Sequence, residues 1–183
     1  MEWIIVLVFI VLILGIWFFS TYNKLIILRN RKDDQWAQIE VQLKRRFDLI
    51  PNLVETVKGY AKHEKNTFEE IVKARNNFNK AKSPEEEMKI ANDLTKAVTH
   101  LFALAEAYPE LKANENFLSL QSDLKDTEDK ISIQRQFYND TVLNYNNKVE
   151  MIPSNIVASI GGFKKSLFFE IDTKEKENPK VAF

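Results

Sequence analysis

This sequence predicts an all-α protein: an N-terminal transmembrane helix followed by an elongated up-and-down bundle of three to four long helices. Three observations carry that prediction. Trp3 to Phe19 is an uncharged apolar run. A seven-residue apolar repeat starts at Trp36 and recurs in two later segments. Chain breakers are scarce, with Gly 4 and Pro 5 in 183 residues. The organisation expected from them is an anchor over residues 1–23, a helical bundle over 24–163, and an aromatic and basic segment with a charged tail over 164–183.

The apolar run, counted on to Asn23, is roughly 20 residues long, about what a helix needs to cross a ~30 Å hydrocarbon layer. Trp3 near one end, and Trp17 and Tyr22 near the other, place amphipathic rings at headgroup depth, with Lys24 and Arg29 just beyond. A cleaved secretory signal also begins with an apolar core. Here the first residues are Met1 and Glu2 with no Lys or Arg, the core exceeds the usual ~7–15 residues, and Ser20-Thr21-Tyr22 is not a small-x-small site. A retained anchor is therefore expected. A buried helix of a soluble core is the other alternative, but Trp3 to Phe19 is apolar all round.

Lys24, Arg29, Arg31 and Lys32 lie within about 15 residues of one end of the span while the other flank has none, which predicts a cytoplasmic body and a short N-terminus outside. With 26 basic and 26 acidic residues the chain has no net charge, so no basic field exists to collect nucleic acid. The absence of cysteine removes disulfides, thiolate nucleophiles and thiolate metal sites together.

From Trp36 the apolar seam runs through Ile39, Leu43, Arg46, Ile50, Leu53, Val57, Tyr60, Glu64, Thr67, Ile71, Ala74 and Phe78. A second row at Phe47, Val54, Ala61 and Phe68 widens it enough to bury against two neighbours rather than one. The expected element spans about Lys32 to Lys80, roughly 70 Å at 1.5 Å per residue. No breaker separates it from the anchor, so one continuous helix is expected. Pro51 cannot donate to the carbonyl of Phe47, which predicts a kink or short break.

The second body helix opens with Ser83 as N-cap, Pro84 in the first turn and Glu86 completing a capping box. Met88, Ala91, Leu94, Val98, Leu101, Ala105 and Tyr108 form its stripe. Ala97, Phe102 and Leu104 widen that stripe until the C-terminal half should be the most buried part of the body, ending at Tyr108-Pro109. A third helix starts near Asn114 to Asn116 and runs through Phe117, Leu124, Ile131, Tyr138 and Tyr145 towards Pro153, with Gln134, Tyr138 and Tyr145 bringing hydrogen-bonding groups to its seam. A short helix follows Pro153 and ends at Gly161-Gly162.

The words Leu28-Arg29-Asn30, Leu43-Lys44-Arg45-Arg46-Phe47-Asp48-Leu49-Ile50-Pro51-Asn52-Leu53-Val54, Ala105-Glu106-Ala107-Tyr108-Pro109-Glu110-Leu111, Tyr145-Asn146, Pro153-Ser154-Asn155 and Gly162-Phe163 stand in an order that resembles the LemA family. The likeness covers nearly the whole chain. It implies a bacterial single-span membrane protein with a helical body and no established enzymatic activity. It also implies that membrane proteins, peptidases among them, are the class from which partners come.

A direct search for chemistry agrees. No metalloprotease, phosphate-loop, dinucleotide or nucleophile-elbow string occurs, and no cofactor is expected. The two histidines, His63 and His100, would need to converge with Glu64 or Glu106 to hold a metal. His100 is expected to pack within the bundle instead.

Two segments are candidate interaction surfaces. Lys44, Arg45 and Arg46 can meet lipid phosphate or an acidic partner, or form a solvated face balanced by Glu40 and Asp48, the favoured reading. Phe163, Phe168 and Phe169, with Lys164 and Lys165, can dip into headgroups or pack along the bundle with Leu167, Phe169 and Ile171 inward, again favouring packing. The function expected is a non-enzymatic, membrane-tethered scaffold that associates with the bilayer, with copies of itself and with other membrane proteins. The alternative is a regulatory subunit of a membrane peptidase or signalling complex. The expected location is the bacterial inner membrane.

Overall fold

The computed structural model describes residues 1–60 and 65–170, the side chains of Lys65, Asn66 and Leu104 excepted. Among these residues all regular structure is helical: α1 (Glu2–Lys58), α2 (Lys65–Phe78), α3 (Pro84–Ala105), α4 (Pro109–Lys112), α5 (Glu115–Glu150) and α6 (Ser154–Ile160). The apolar N-terminal run and the first body helix are one uninterrupted element of 57 residues. The sequence expectations for Ala61, His63, Glu64, Ile171 and the tail from Asp172 fall outside the described residues.

Two compact units divide the chain. The first takes Met1–Ala37 with Gln136–Phe168, and the second takes the described residues of Gln38–Arg135 with Phe169 and Glu170.

The second unit is built on the predicted seam. Ile39, Leu43, Ile50, Leu53 and Val57 of α1 are fully buried, as are Ile71 of α2 and Leu94 and Leu101 of α3. Phe47 and Val54, from the flanking row, are buried too, and Phe47 stacks on Phe78 at 4.1 Å between ring centroids. Burying each such side chain contributes about 1.5–3 kcal/mol, so this seam holds the unit together. The short connection 79–83 makes α2 and α3 sequential packed neighbours.

Four local expectations change in this unit. The element predicted to reach Lys80 ends at Lys58, where Gly59 follows and the amide of Tyr60 turns back onto the carbonyl of Val57; periodicity continues in α2, but the backbone does not. Pro51 lies inside α1 without breaking it, because buried Ile50 and Leu53 on either side hold the helix to the core more strongly than one lost bond loosens it. The C-terminal half of α3 is not the most buried segment, since Thr99, His100 and Ala103 face solvent; composition counted apolar residues all round, whereas neighbours cover one side. Tyr108-Pro109 begins a further short helix, α4, whose Leu111 is buried.

Helix ends follow local chemistry. Ser83 Oγ accepts the amide of Glu86 at 3.3 Å, but the returning carboxylate takes the amide of Lys82 at 2.8 Å rather than that of Ser83. Asn114 caps α5 by accepting the amide of Phe117, and its Nδ2 donates to the Tyr60 hydroxyl.

In the first unit, Leu25, Tyr145, Val157, Ala158 and Phe163 form a buried cluster, with Trp17, Phe18, Ile26, Leu28 and Val149 against it. Trp36 meets Tyr138 edge to face at 5.5 Å. Passing from Tyr145 back to Tyr138 along α5 therefore matches passing from Leu25 to Trp36 along α1, and the two helices run antiparallel. The end of α6 closes this cluster. The amide of Gly162 donates to Ser159 and that of Phe163 to Ala158, the paired bonds of a Schellman stop, with Gly162 at φ 69° where a side chain would be strained.

Candidate functional site

The apolar half of α1 is bare. Its most apolar window is 6% buried, and it is the one helix among the described residues long and apolar enough to cross a membrane. The apolar residues of a soluble core helix would instead be covered, as Ile39, Leu43, Ile50, Leu53 and Val57 are. Trp3 is exposed, Trp17 is half-buried against the Leu25 cluster, and Tyr22 and Lys24 are exposed beside it.

Beyond the span, the chain after α6 forms an extended strap held to α1 and α5. Phe163 is buried, with its ring 5.4 Å from that of Tyr22 and the Arg29 guanidinium 5.6 Å from its centroid. Lys32 Nζ donates to Ser166 Oγ at 3.1 Å and lies 3.1 Å from Asp33. Asn146, 5% exposed, completes the clamp: its Nδ2 donates to the Ser166 carbonyl and its Oδ1 accepts the Ser166 amide, both at 2.9 Å. The Tyr138 hydroxyl donates to the Leu167 carbonyl, and Lys165 pairs with Glu150. One amide side chain thus supplies the pairing that a neighbouring strand would give, and packing is the reading the structure favours for this segment.

Its side-chain pattern differs from expectation in one place. Leu167 faces outward while Phe163 and Phe169 are buried, and Phe168 is 37% exposed. Phe169 belongs to the second unit, where Arg135 lies 5.8 Å from its ring centroid and Asn92 Nδ2 donates to the Glu170 carbonyl.

Replacing Asn146 by Ala removes both bonds and leaves the Ser166 amide and carbonyl without them, which should cost about 2 kcal/mol. The check is thermal unfolding of the full chain in detergent. A melting temperature unchanged from the parent would mean that the strap is not part of the cooperative fold.

Burial also pushes the Tyr145 phenol up, against the opposing pull of Arg29. Its contribution to stability is therefore whole below about pH 10, the ordinary tyrosine value, and is lost as pH rises through the raised one.

The basic word Lys44-Arg45-Arg46 does not form one patch. Lys44 is exposed, Arg45 reaches Asp126 at 3.2 Å and Asp123 at 3.7 Å, and Arg46 is 4% exposed. Acidic residues of α5, rather than Glu40 and Asp48, supply these ion-pair partners. A hydrogen bond from Lys130, helped by the charges of Lys130 and Arg45, holds the Asp126 carboxyl below its usual range. That network contributes above the ordinary carboxylate range and is lost as pH falls through the lowered value.

Arg46 fills the seam position that the repeat left polar. Its Nη1 lies 2.6 Å from Glu128 Oε2 and 3.0 Å from Thr95 Oγ1, while its Nε has no hydrogen-bond partner. Burial lowers its pKa and Glu128 opposes that shift. Beside the pair is a cavity of about 260 Å³, lined also by Phe102 and Lys125.

His100 is exposed, not packed as expected. It lines an open groove of about 390 Å³ with Glu70, Lys73, Asp93 and Lys96. Among the described residues no three His, Asp or Glu side chains are grouped so as to hold a metal ion.

Comparison with known proteins places these features in a family. The model of the LemA family matches residues 35–183. Protein LemA of Metamycoplasma hominis is 25% identical over 186 residues, a match covering 94% of this chain and 84% of that protein. Magnetosome proteins MamQ 1 and MamQ 2 of Paramagnetospirillum magneticum are each 31% identical over 74 residues, which is 40% of this chain and 27% of theirs. The matched stretch is thus a minor part of those two relatives. MamQ of Magnetospirillum gryphiswaldense is 24% identical over 174 residues, 81% of this chain and 64% of that protein.

Proposed function

This chain belongs to the LemA family, and from that premise we propose that it is a non-enzymatic, membrane-tethered scaffold that associates with copies of itself and organises other membrane proteins. The observation that carries the reading is the divided character of α1. Ile4 to Leu14, Ile16 and Phe19 expose their side chains, whereas Ile39, Leu43, Phe47, Ile50, Leu53, Val54 and Val57 of the same helix are in the core of the second unit. One covalent element is therefore both anchor and structural spine. The bare half has no favourable place in water, because each exposed Leu, Ile or Phe forgoes about 1.5–3 kcal/mol of transfer free energy.

Lys24, Arg29, Arg31 and Lys32 flank the span on one side, which supports a reading in which the anchor lies in the inner membrane of a bacterial cell with the body on the cytoplasmic side. Self-association draws support from large apolar side chains left uncovered on the body, among them Val41 and Leu118 in the second unit and Phe137 in the first. The MamQ relatives carry a magnetosome name rather than an enzyme name, which supports a role without catalysis.

The test is cross-linking in native membranes, followed by mass determination of the products. Ladders at multiples of the chain mass are expected. Monomer alone would remove self-association, and a different protein at fixed stoichiometry would replace the scaffold with a regulatory subunit of a membrane complex.

A further inference from the structure

Helix α6 has two unlike faces. Val157 and Ala158 are buried in the cluster that Trp17 and Phe18 flank, while Ile156 and Ile160, four residues apart, are 56% and 69% exposed, and Met151 and Ile152 in the turn that leads into the helix are 61% and 86% exposed. Four large apolar side chains exposed within ten residues, two on α6 and two in the turn before it, are too many to be scattered surface residues. Their depth is set by the cluster that takes the buried face and by the approach of Gly161 to Tyr22. Trp17 and Phe18 belong to the apolar run itself, and Gly161, at the end of α6, lies so close to Tyr22 that a β-carbon there would be 3.0 Å from its ring. With α1 rising about 1.5 Å per residue, Trp17 to Tyr22 covers the last ~8 Å of the span. That is the zone where acyl chains give way to headgroups.

We propose that α6 is a second membrane contact: an interfacial helix lying beside the exit of the anchor, with Met151, Ile152, Ile156 and Ile160 set into the acyl boundary of that leaflet. This rests on reading α1 as a membrane span. The occupant of the exposed face is lipid, because α6 sits at the exit of the apolar run: its end lies against Tyr22, and its buried residues belong to the cluster that Trp17 and Phe18 flank. Lys24, Lys148 and Lys164, all exposed in the same unit, suit the phosphates that flank such a helix. Two contacts, rather than one, would then restrain how the first unit turns about the anchor.

The chain contains no cysteine, so single labels can be placed without removing native ones. Ile156→Cys and Ile160→Cys carry an environment-sensitive fluorophore at exposed positions where the substitution leaves the core untouched. Leu12→Cys reports on the span, and Asp140→Cys on an exposed α5 site about 15 Å along the helix from Glu150. Each full-length variant is reconstituted in vesicles of zwitterionic and anionic phospholipid carrying nitroxide-labelled lipid at shallow or deep positions.

Shallow nitroxide should quench the Ile156 and Ile160 labels several-fold more than the Asp140 label, and deep nitroxide should quench Leu12. If the α6 labels respond only to a water-borne quencher while Leu12 is quenched from the lipid, the interfacial helix is refuted and the anchor stands. If Leu12 also escapes lipid quenching, the anchor reading itself fails, and the inference with it. Quenching between α6 labels on different copies, without quenching from lipid, would assign the face to a second chain and overturn the proposal.

Discussion

Replacing both Val11 and Leu12 by Arg should release the chain from the integral membrane fraction. Each arginine at the centre of a span costs about 2.5–3.5 kcal/mol of insertion free energy, so the pair shifts partitioning by roughly 10⁴-fold. Both side chains are more than half exposed and touch no part of the core, at 58% and 57%. Helix content should therefore persist, and circular dichroism in detergent should match the parent. The measurement is extraction of membranes at alkaline pH, where the parent stays in the pellet and the variant moves to the supernatant. An interfacial α6 does not prevent this, because peripheral contacts of a few apolar side chains are reversible. A variant that pellets like the parent would mean that residues 3–22 do not anchor the protein.

Replacing Arg46 by Ala should destabilise the second unit by about 3 kcal/mol. The guanidinium sits in the core at 4% exposure with Glu128 and Thr95 as partners. Its removal leaves Glu128 facing an enlarged cavity without its counter-charge. Because the Glu128 side chain is 39% exposed, water tempers that penalty and the estimate stays at the low end of the range for broken buried pairs. A second variant separates charge from packing. Arg46→Met combined with Glu128→Gln keeps most of the volume and removes both charges, so it should recover at least half of the loss. Unfolding by urea, followed by circular dichroism in mild detergent, measures both. An Arg46→Ala midpoint equal to that of the parent would show that the pair contributes nothing. A double variant as unstable as Arg46→Ala would assign the loss to the missing ion pair and hydrogen bonds rather than to packing or an unpaired charge.

Arg46 also shows where sequence reading stops. In the seam of the repeat it looked like an interruption, and next to Lys44 and Arg45 it looked like one third of a basic patch. Spacing put it correctly on the buried face, since a residue three after Leu43 and four before Ile50 shares their side of the helix. Spacing did not show that Glu128, far along the chain on α5, would come to meet it. The same applies to Asn146, whose significance depends on Ser166 lying beside it, and to α6, whose outward isoleucines gain meaning from the place of its other face in the cluster that Trp17 and Phe18 flank.

Local interactions determined what could be read without a structure. The helical class, the anchor, the buried seam of α1, the cap of α3 at Ser83 and the stop at Gly161-Gly162 all follow from periodicity, hydropathy and backbone preferences within a few residues. Tertiary structure alone decided that the chain from Gln136 to Phe168 packs with Met1–Ala37 in one unit. It also decided that α3 keeps an exposed face and that α1 ends at Lys58 while the apolar repeat runs on. Those outcomes depend on which distant apolar faces meet and which side they leave open, a balance of long-range contacts that no local window contains.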